Sequence, residues 1–167
     1  EVVVRNGVSD TLELLYGPNW PWNRTFMGSL PVYRGSGYDQ RGDLQRAKNK
    51  GGSNATTGKV IAELNMFFWQ RMFTTRHDVR VWDPYLLTTF PHMDRSQLIA
   101  TLRESIYNDF SQIRALRNRI AHHEPIFKRN LSNDHAKIMN LIGHRCQITA
   151  AWLATHEQVT RLIATKP

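Results

Sequence analysis

Three polar side chains with complementary chemistry lie close together in LRNRIAHHEP, residues 116–125. They are Arg117, Asn118 and His122. A near-neutral histidine can take a proton from a ribose 2′-hydroxyl group or return one to a leaving oxygen. A planar arginine can hold a phosphate and stabilise the charge that builds on it, and an asparagine can orient the nucleophile or the imidazole. The set is therefore suited to phosphodiester cleavage, and none of these steps requires a metal ion.

A long amphipathic helix must carry these residues. Apolar side chains recur at helical spacing from Leu98 to Ile120, and at roughly 100° per residue they fall within one arc. Asp94 and Ser96 are suitable N-caps for this helix. The pair Glu124-Pro125 predicts that the helix ends near His122 or His123, because the residue before a proline avoids the helical conformation.

The same helical angles place a set of polar residues along one border of the apolar stripe. This ridge consists of Arg103, Arg114, Arg117, Asn118 and His122, with Tyr107 on the same side. Asn118 and His122 are four residues apart and can therefore touch. An arginine at such a border should be partly desolvated, which is costly unless it meets an anion or a good acceptor. In an alternative interpretation, Arg117 caps carbonyl groups or pairs with Asp109, and the histidines merely lie at a helix C terminus.

The two adjacent histidines are not equivalent. On a continued helix His123 would point about 100° away from His122, so both could serve one phosphate only if the helix unwinds there. Glu124-Pro125 favours such unwinding. We predict that His122 has the catalytic role, and that His123 and Glu124 orient or support the site.

The remaining apolar patterns are also helical, and no alternating pattern of useful length occurs, so we predict an all-α fold in a single domain over residues 1–167. Further helices are predicted at about residues 4–15, 43–50, 59–75, 84–90, 132–155 (with a bend at Gly143) and 156–164. Residues 17–42 hold most of the Pro, Gly and Trp and predict an ordered, aromatic-rich loop with little regular structure. Residues 51–58 predict a flexible connection. Because the chain opens on Glu1 already in a helical pattern, we expect a further helix before it.

Composition limits the classes of function. A net charge of +8 on 167 residues attracts polyanions, chiefly nucleic acid, although a basic surface can also serve solubility alone. The one cysteine, Cys146, cannot form an intrachain disulfide, and no apolar run reaches the ~18 residues of a membrane span. We therefore expect a cytoplasmic protein without a membrane segment.

Two ligand-binding motifs can be set aside. Five residues, not four, separate Gly52 from Gly58, and Val60 stands where a P-loop carries its magnesium-binding hydroxyl group. The seven histidines lack the HExxH spacing of zinc sites. We therefore predict no cofactor and no metal site.

The segment LRNRIAHHEPIF (116–127) resembles the signature of Abi-like bacterial proteins, which are named for abortive infection of phage-infected cells. These proteins belong to the HEPN superfamily, whose members carry Arg, a polar residue and then His, with four to six residues between Arg and His. Arg117, Asn118 and His122 match this pattern with four residues between. The blocks GKVIAELNMFFWQRMF (58–73) and VWDPYLLTTFP (81–91), and the later LIGH and AAWL, occur in the order expected of the family.

The resemblance implies a HEPN-like helical bundle and a metal-independent endoribonuclease, acting as a bacterial toxin or antiphage effector. Two copies would form a homodimer with a composite active site, in which one histidine acts as base and the other as acid. The implied partners are an RNA substrate and an antitoxin, which could be a protein or an RNA. The alternatives are a non-catalytic RNA-binding or protein-interaction dimer of the same family, and a DNA-binding regulator. Only the net charge supports the DNA-binding regulator.

The site residues fall into three predicted groups. The catalytic group is Arg117, Asn118 and His122; the RNA-binding group is Arg103, Arg114, Arg119 and His123; the supporting group is Tyr107 and Glu124.

Overall fold

The computed structural model describes residues 1–33, 35 and 37–165, and every regular element in these ranges is a helix. The predicted all-α class is therefore confirmed at this level, and a HEPN-like bundle stays a prediction. The chain forms two compact units, Glu1–Met72 and Phe73–Pro167. The single domain also stays a prediction.

The described residues of the first unit form five α-helices. They are α1 (Val2–Tyr16), α2 (Arg24–Ser29), α3 (Gln40–Lys50), α4 (Thr57–Glu63) and α5 (Met66–Arg71), with 3-10 helices at Trp20–Trp22 and Gly52–Asn54. Its core is built around the fully buried Trp20, whose indole N–H donates to the Ser9 hydroxyl oxygen at 3.2 Å. The Trp20 ring packs edge-to-face against Phe26 and Trp69. These contacts hold the segment that follows α1 in the core of the first unit.

Two predictions for this unit are wrong. The segment 17–42 contains regular structure, because the Asn23 side chain accepts the N–H of Phe26 at 3.1 Å and starts α2; residues 34 and 36 lie outside the described residues. The single helix predicted at 59–75 is two helices. Asn65 interrupts it, because its side chain accepts the N–H of Phe68 at 2.9 Å and thereby caps α5.

The second unit contains the long helix that carries the candidate site. Its elements are a 3-10 helix (Thr75–His77), a π-helix (Asp78–Trp82), α6 (Asp83–Thr89), α7 (Ile99–Ala121), α8 (Leu131–Arg145), α9 (Gln147–His156) and α10 (Val159–Ala164). Phe73 stacks on Trp82 with ring centroids 4.5 Å apart, and Phe90 packs against the same ring of Phe73. The first half of α7 contributes Leu102, Ile106 and Phe110 to the buried core.

The ends of these helices agree in part with the sequence. The C terminus of α7 at Ala121, with His122 as C-cap, confirms the predicted end. The predicted N-caps are wrong: Leu98 occupies the cap position, and the Asp94 carboxylate instead accepts the N–H and hydroxyl groups of Ser96, which closes a turn before the helix. The bend predicted at Gly143 is also wrong, since α8 continues to Arg145 and the chain becomes extended at Cys146.

Candidate functional site

The C-terminal turns of α7 carry the three predicted catalytic residues. Arg117 and His122 are exposed and Asn118 is half-buried. The guanidinium Nη1 of Arg117 donates to the side-chain oxygen of Asn118 at 3.5 Å, a long contact on the surface. The expectation that Arg117 is partly desolvated is wrong for the single chain. A guanidinium in this setting is open to a ligand from solvent.

Arg117 borders an apolar groove between α7 and α8. All buried residues of α7 lie in its first half, and beyond them the apolar stripe is only partly covered: Ile120 is 54% exposed. The groove has a volume of about 360 Å³ and is lined by Ile113, Leu116, Arg117, Ile120, Ala121 and Ile138. The guanidinium of Arg117 therefore lies at the edge of an apolar surface that is exposed to solvent in the single chain.

The helix ends in a Schellman motif, the turn in which a residue of left-handed conformation closes the last carbonyl groups. The N–H of Glu124 donates to the Arg119 carbonyl at 2.8 Å, and the N–H of His123 donates to the Ile120 carbonyl at 3.1 Å. His123 has φ 55°, the only positive φ at a non-glycine residue in the described ranges. Glycine usually takes this position, because a Cβ atom there approaches the following carbonyl oxygen.

This turn changes the geometry of the paired histidines. His122 is the C-cap with φ −97° and ψ 11°, and His123 leaves the helical path. The angle of about 100° between their side chains on a continued helix therefore does not apply. Both imidazoles are exposed, and neither forms a hydrogen bond within the part of the chain that the structure describes. Both rings are accessible from solvent.

Arg119 and Glu124 contact each other across the turn that contains the two histidines. The Nε–H of Arg119 donates to the Pro125 carbonyl at 3.1 Å, and the same Nε lies 3.7 Å from the Glu124 carboxylate. Glu124 thus lies close to Arg119, and its supporting role stays a prediction. The Arg119 side chain, predicted to bind RNA, has its Nε–H directed at the backbone of its own chain.

Arg103 does not join this group. Its side chain is 6% exposed, its Nε lies 2.9 Å from the Asp78 carboxylate, and its Nη1 donates to the Phe73 carbonyl at 2.9 Å. Its charge is thus already balanced inside the second unit. The structure contradicts an RNA-binding role for Arg103, because a buried, paired guanidinium cannot meet a phosphate without breaking both contacts. Arg114 and Tyr107 are half-buried on the same helix.

A further polar cluster lies between α7 and α8. Asp109 forms an ion pair with Lys137, so the alternative in which Asp109 pairs with Arg117 is wrong. His144 is half-buried near Asp109. Burial lowers the pKa of its imidazole, and the nearby Asp109 charge and a hydrogen bond with the His92 backbone act in the opposite direction. This cluster joins the two helices that form the groove.

Comparison of the chain with protein-family models, curated proteins and solved structures finds no match. The functional argument therefore depends on the geometry at the end of α7. Among the described residues, no three or more His, Cys, Asp or Glu side chains are arranged to hold a metal ion. A helix with the length and apolar character to cross a bilayer is likewise absent from these residues.

Two features of the site were missed in the sequence. The left-handed His123 had a weak signal, since histidine tolerates positive φ better than most residues and Pro125 follows two residues later. The open groove had no such signal in the sequence. The apolar stripe of α7 is continuous in sequence, and only the positions of the neighbouring helices determine that its second half stays uncovered.

Proposed function

We propose that the protein is a metal-independent endoribonuclease of the HEPN type, an Abi-like bacterial toxin or antiphage effector. The observation that carries this proposal is the joint exposure of Arg117 and His122 at the end of one helix, with Asn118 in contact with Arg117. The resemblance of residues 116–127 to the Abi-like signature supplies the reaction class.

The reaction requires one proton to be taken up and another to be delivered. A neutral imidazole removes the proton from the ribose 2′-hydroxyl, and the 2′-oxygen then bonds to phosphorus as the bond to the 5′-oxygen breaks. A protonated imidazole gives its proton to the leaving 5′-oxygen. The products are a 2′,3′-cyclic phosphate and a 5′-hydroxyl. Arg117 would stabilise the negative charge on the phosphorus oxygens, and Asn118 would orient the guanidinium that it contacts.

A second copy of the chain would supply the second histidine. One His122 cannot readily hold both protonation states in one turnover, and a homodimer would bring two together. The open groove beside Arg117 supports such pairing, because burial of Ile120 and its apolar neighbours would stabilise the dimer. Pairing would also desolvate the guanidinium and strengthen its interaction with phosphate.

The net charge of +8 supports a polyanionic substrate. Of the residues predicted to bind RNA, Arg114 and His123 remain in the proposal and Arg103 is removed. An antitoxin protein or RNA would be needed to hold such an enzyme inactive in its host cell. The alternative, a non-catalytic RNA-binding or protein-interaction dimer, is favoured by the same groove, since an apolar surface binds a partner whether or not RNA is cut.

The test is cleavage of end-labelled RNA in the presence of EDTA. His122→Ala and Arg117→Ala should each lower the cleavage rate by about 10²-fold or more. The matched controls are His92→Ala and Arg95→Ala, which alter exposed residues of the same types elsewhere in the second unit. Tight RNA binding without cleavage by the wild type would favour the binding protein instead. Loss of cleavage on addition of EDTA would contradict the metal-independent mechanism.

A further inference from the structure

Arg119 contacts the turn at the end of α7 through both its backbone and its side chain. Its carbonyl oxygen accepts the Glu124 N–H at 2.8 Å, and its Nε–H donates to the Pro125 carbonyl at 3.1 Å. The same Nε lies 3.7 Å from the Glu124 carboxylate. One residue thus bridges the first and last parts of the turn.

The two histidines inside this turn have no comparable support of their own. Neither imidazole forms a hydrogen bond within the described ranges, so the backbone at His122 and His123 determines where the rings lie. The backbone at His123 has φ 55°, a conformation that a non-glycine residue keeps only when its surroundings hold it. Whatever closes the turn therefore also positions the imidazoles.

We propose that Arg119 is a positioning residue, which locks the Schellman turn and through it sets the places of His122 and His123. This role rests on the proposed ribonuclease function and replaces the predicted role of Arg119 as an RNA ligand. An arginine suits it better than a lysine, because Nε is a planar donor near the middle of the side chain, where the Pro125 carbonyl lies. The ammonium group of a lysine is a point charge at the end of a flexible stem.

The variant Arg119→Lys separates the two roles, since it keeps the positive charge and removes the Nε–H donor. A positioning role predicts that kcat falls by about 10-fold or more in this variant, because small displacements of reacting groups are costly, with KM changed less than twofold. A phosphate-binding role predicts that Arg119→Lys retains kcat. It also predicts that Arg119→Ala raises KM and makes the slope of log affinity against log salt shallower by about 0.7. Either of these results would overturn the proposal.

A second measurement does not depend on ribonuclease activity. Amide hydrogen exchange at Glu124 reports directly on the hydrogen bond to the Arg119 carbonyl, and the imidazole resonances of His122 and His123 report on the surroundings of the rings. In Arg119→Lys and Arg119→Ala, exchange at Glu124 should be about 10-fold faster or more, and both sets of imidazole resonances should shift. The control, Arg161→Ala, removes an exposed arginine of α10 whose side chain hydrogen-bonds only Gln158 in the described residues, and should change neither.

The two measurements also distinguish the failure of this proposal from that of the proposed function. Unchanged exchange and unchanged resonances in Arg119→Ala would overturn the positioning role even if the wild type cleaves RNA efficiently. If the wild type cleaves no RNA, the proposed function fails, and the exchange rates and resonances still show whether Arg119 sets the places of the two histidines.

Discussion

The guanidinium of Arg103 on α7 lies 2.9 Å from the carboxylate of Asp78, the first residue of the π-helix. Both side chains are largely covered, and Arg103 also donates to the Phe73 carbonyl. The pair therefore connects the first half of α7 to the wider helical turn that precedes α6. A π-helical turn is rare, and in this chain its first residue is ion-paired with α7.

Replacement of Arg103 should destabilise the second unit without weakening RNA binding. Arg103→Met leaves the Asp78 carboxylate largely buried and without its partner, which should lower the free energy of unfolding by about 3 kcal/mol. Urea denaturation would measure this, with Arg95→Met as the control at an exposed arginine. The salt dependence of RNA affinity should stay unchanged. A shallower salt slope at unchanged stability would mean that Arg103 contacts RNA.

Arg103 also illustrates what the sequence could predict about the site. The helical period of α7 and its end before Glu124-Pro125 are local signals, and both predictions are confirmed. The angle of Arg103 around the helix is equally local. Whether that angle faces solvent or a neighbouring carboxylate depends on Asp78, which lies on a separate element. The sequence could therefore place Arg103 and Arg117 on one border but could not distinguish their environments.

The break in the helix predicted at 59–75 also has both a local and a tertiary cause. The apolar pattern continues through Asn65, so the period alone predicts one helix. The Asn65 side chain ends it by accepting the Phe68 N–H while donating to the Asp43 carboxylate at 2.7 Å. The second contact exists only because α3 brings Asp43 alongside. A cap that depends on two partners, one of them distant in sequence, leaves no periodic signal.

Glycine at position 123 should stabilise the turn. Relief of the left-handed strain at His123 is worth about 1 kcal/mol, and the greater entropy of glycine in the unfolded chain offsets part of this gain. Melting temperatures should therefore decrease in the order His123→Gly, wild type, His123→Ala and His123→Val, since a β-branched residue fits this conformation worst. Equal melting temperatures for the glycine and valine variants would contradict the Schellman turn. If His123 also binds RNA, the glycine variant should lose affinity while it gains stability.

The stability of the second unit should fall as the solution is acidified, in part through His144. Burial lowers the pKa of this imidazole below its ordinary value of 6.5, so the unfolded chain binds the proton more readily than the folded chain. The contribution of His144 is therefore fully present above pH 6.5 and is lost as the pH falls through and below that value. The charged group that acts on it is Asp109, which is itself ion-paired with Lys137. Melting temperatures between pH 7.5 and pH 5 should decrease less in His144→Gln than in the wild type, and the exposed-site control His156→Gln should behave like the wild type.

A charge placed in the groove beside Arg117 should separate the proposed homodimer without unfolding the chain. Ile120 is 54% exposed, so Ile120→Glu should change the free energy of unfolding of the isolated chain by no more than about 0.5 kcal/mol. In a dimer the same carboxylate would be buried at the contact, and light scattering across a concentration series should show a monomer. RNA cleavage should fall by about 10²-fold or more, because each chain then has only its own His122.

The matched control for this variant is Leu98→Glu, which alters a 76% exposed residue at the other end of the same helix, outside the groove. It should leave both dimer and cleavage unchanged. A dimer that survives Ile120→Glu with full activity would place the subunit contact elsewhere. A wild type that cleaves RNA as a monomer at every concentration would show that one copy of the Arg117–His122 pair is sufficient. Another group would then have to deliver the proton to the leaving oxygen. The exposed His123 is the nearest candidate in sequence.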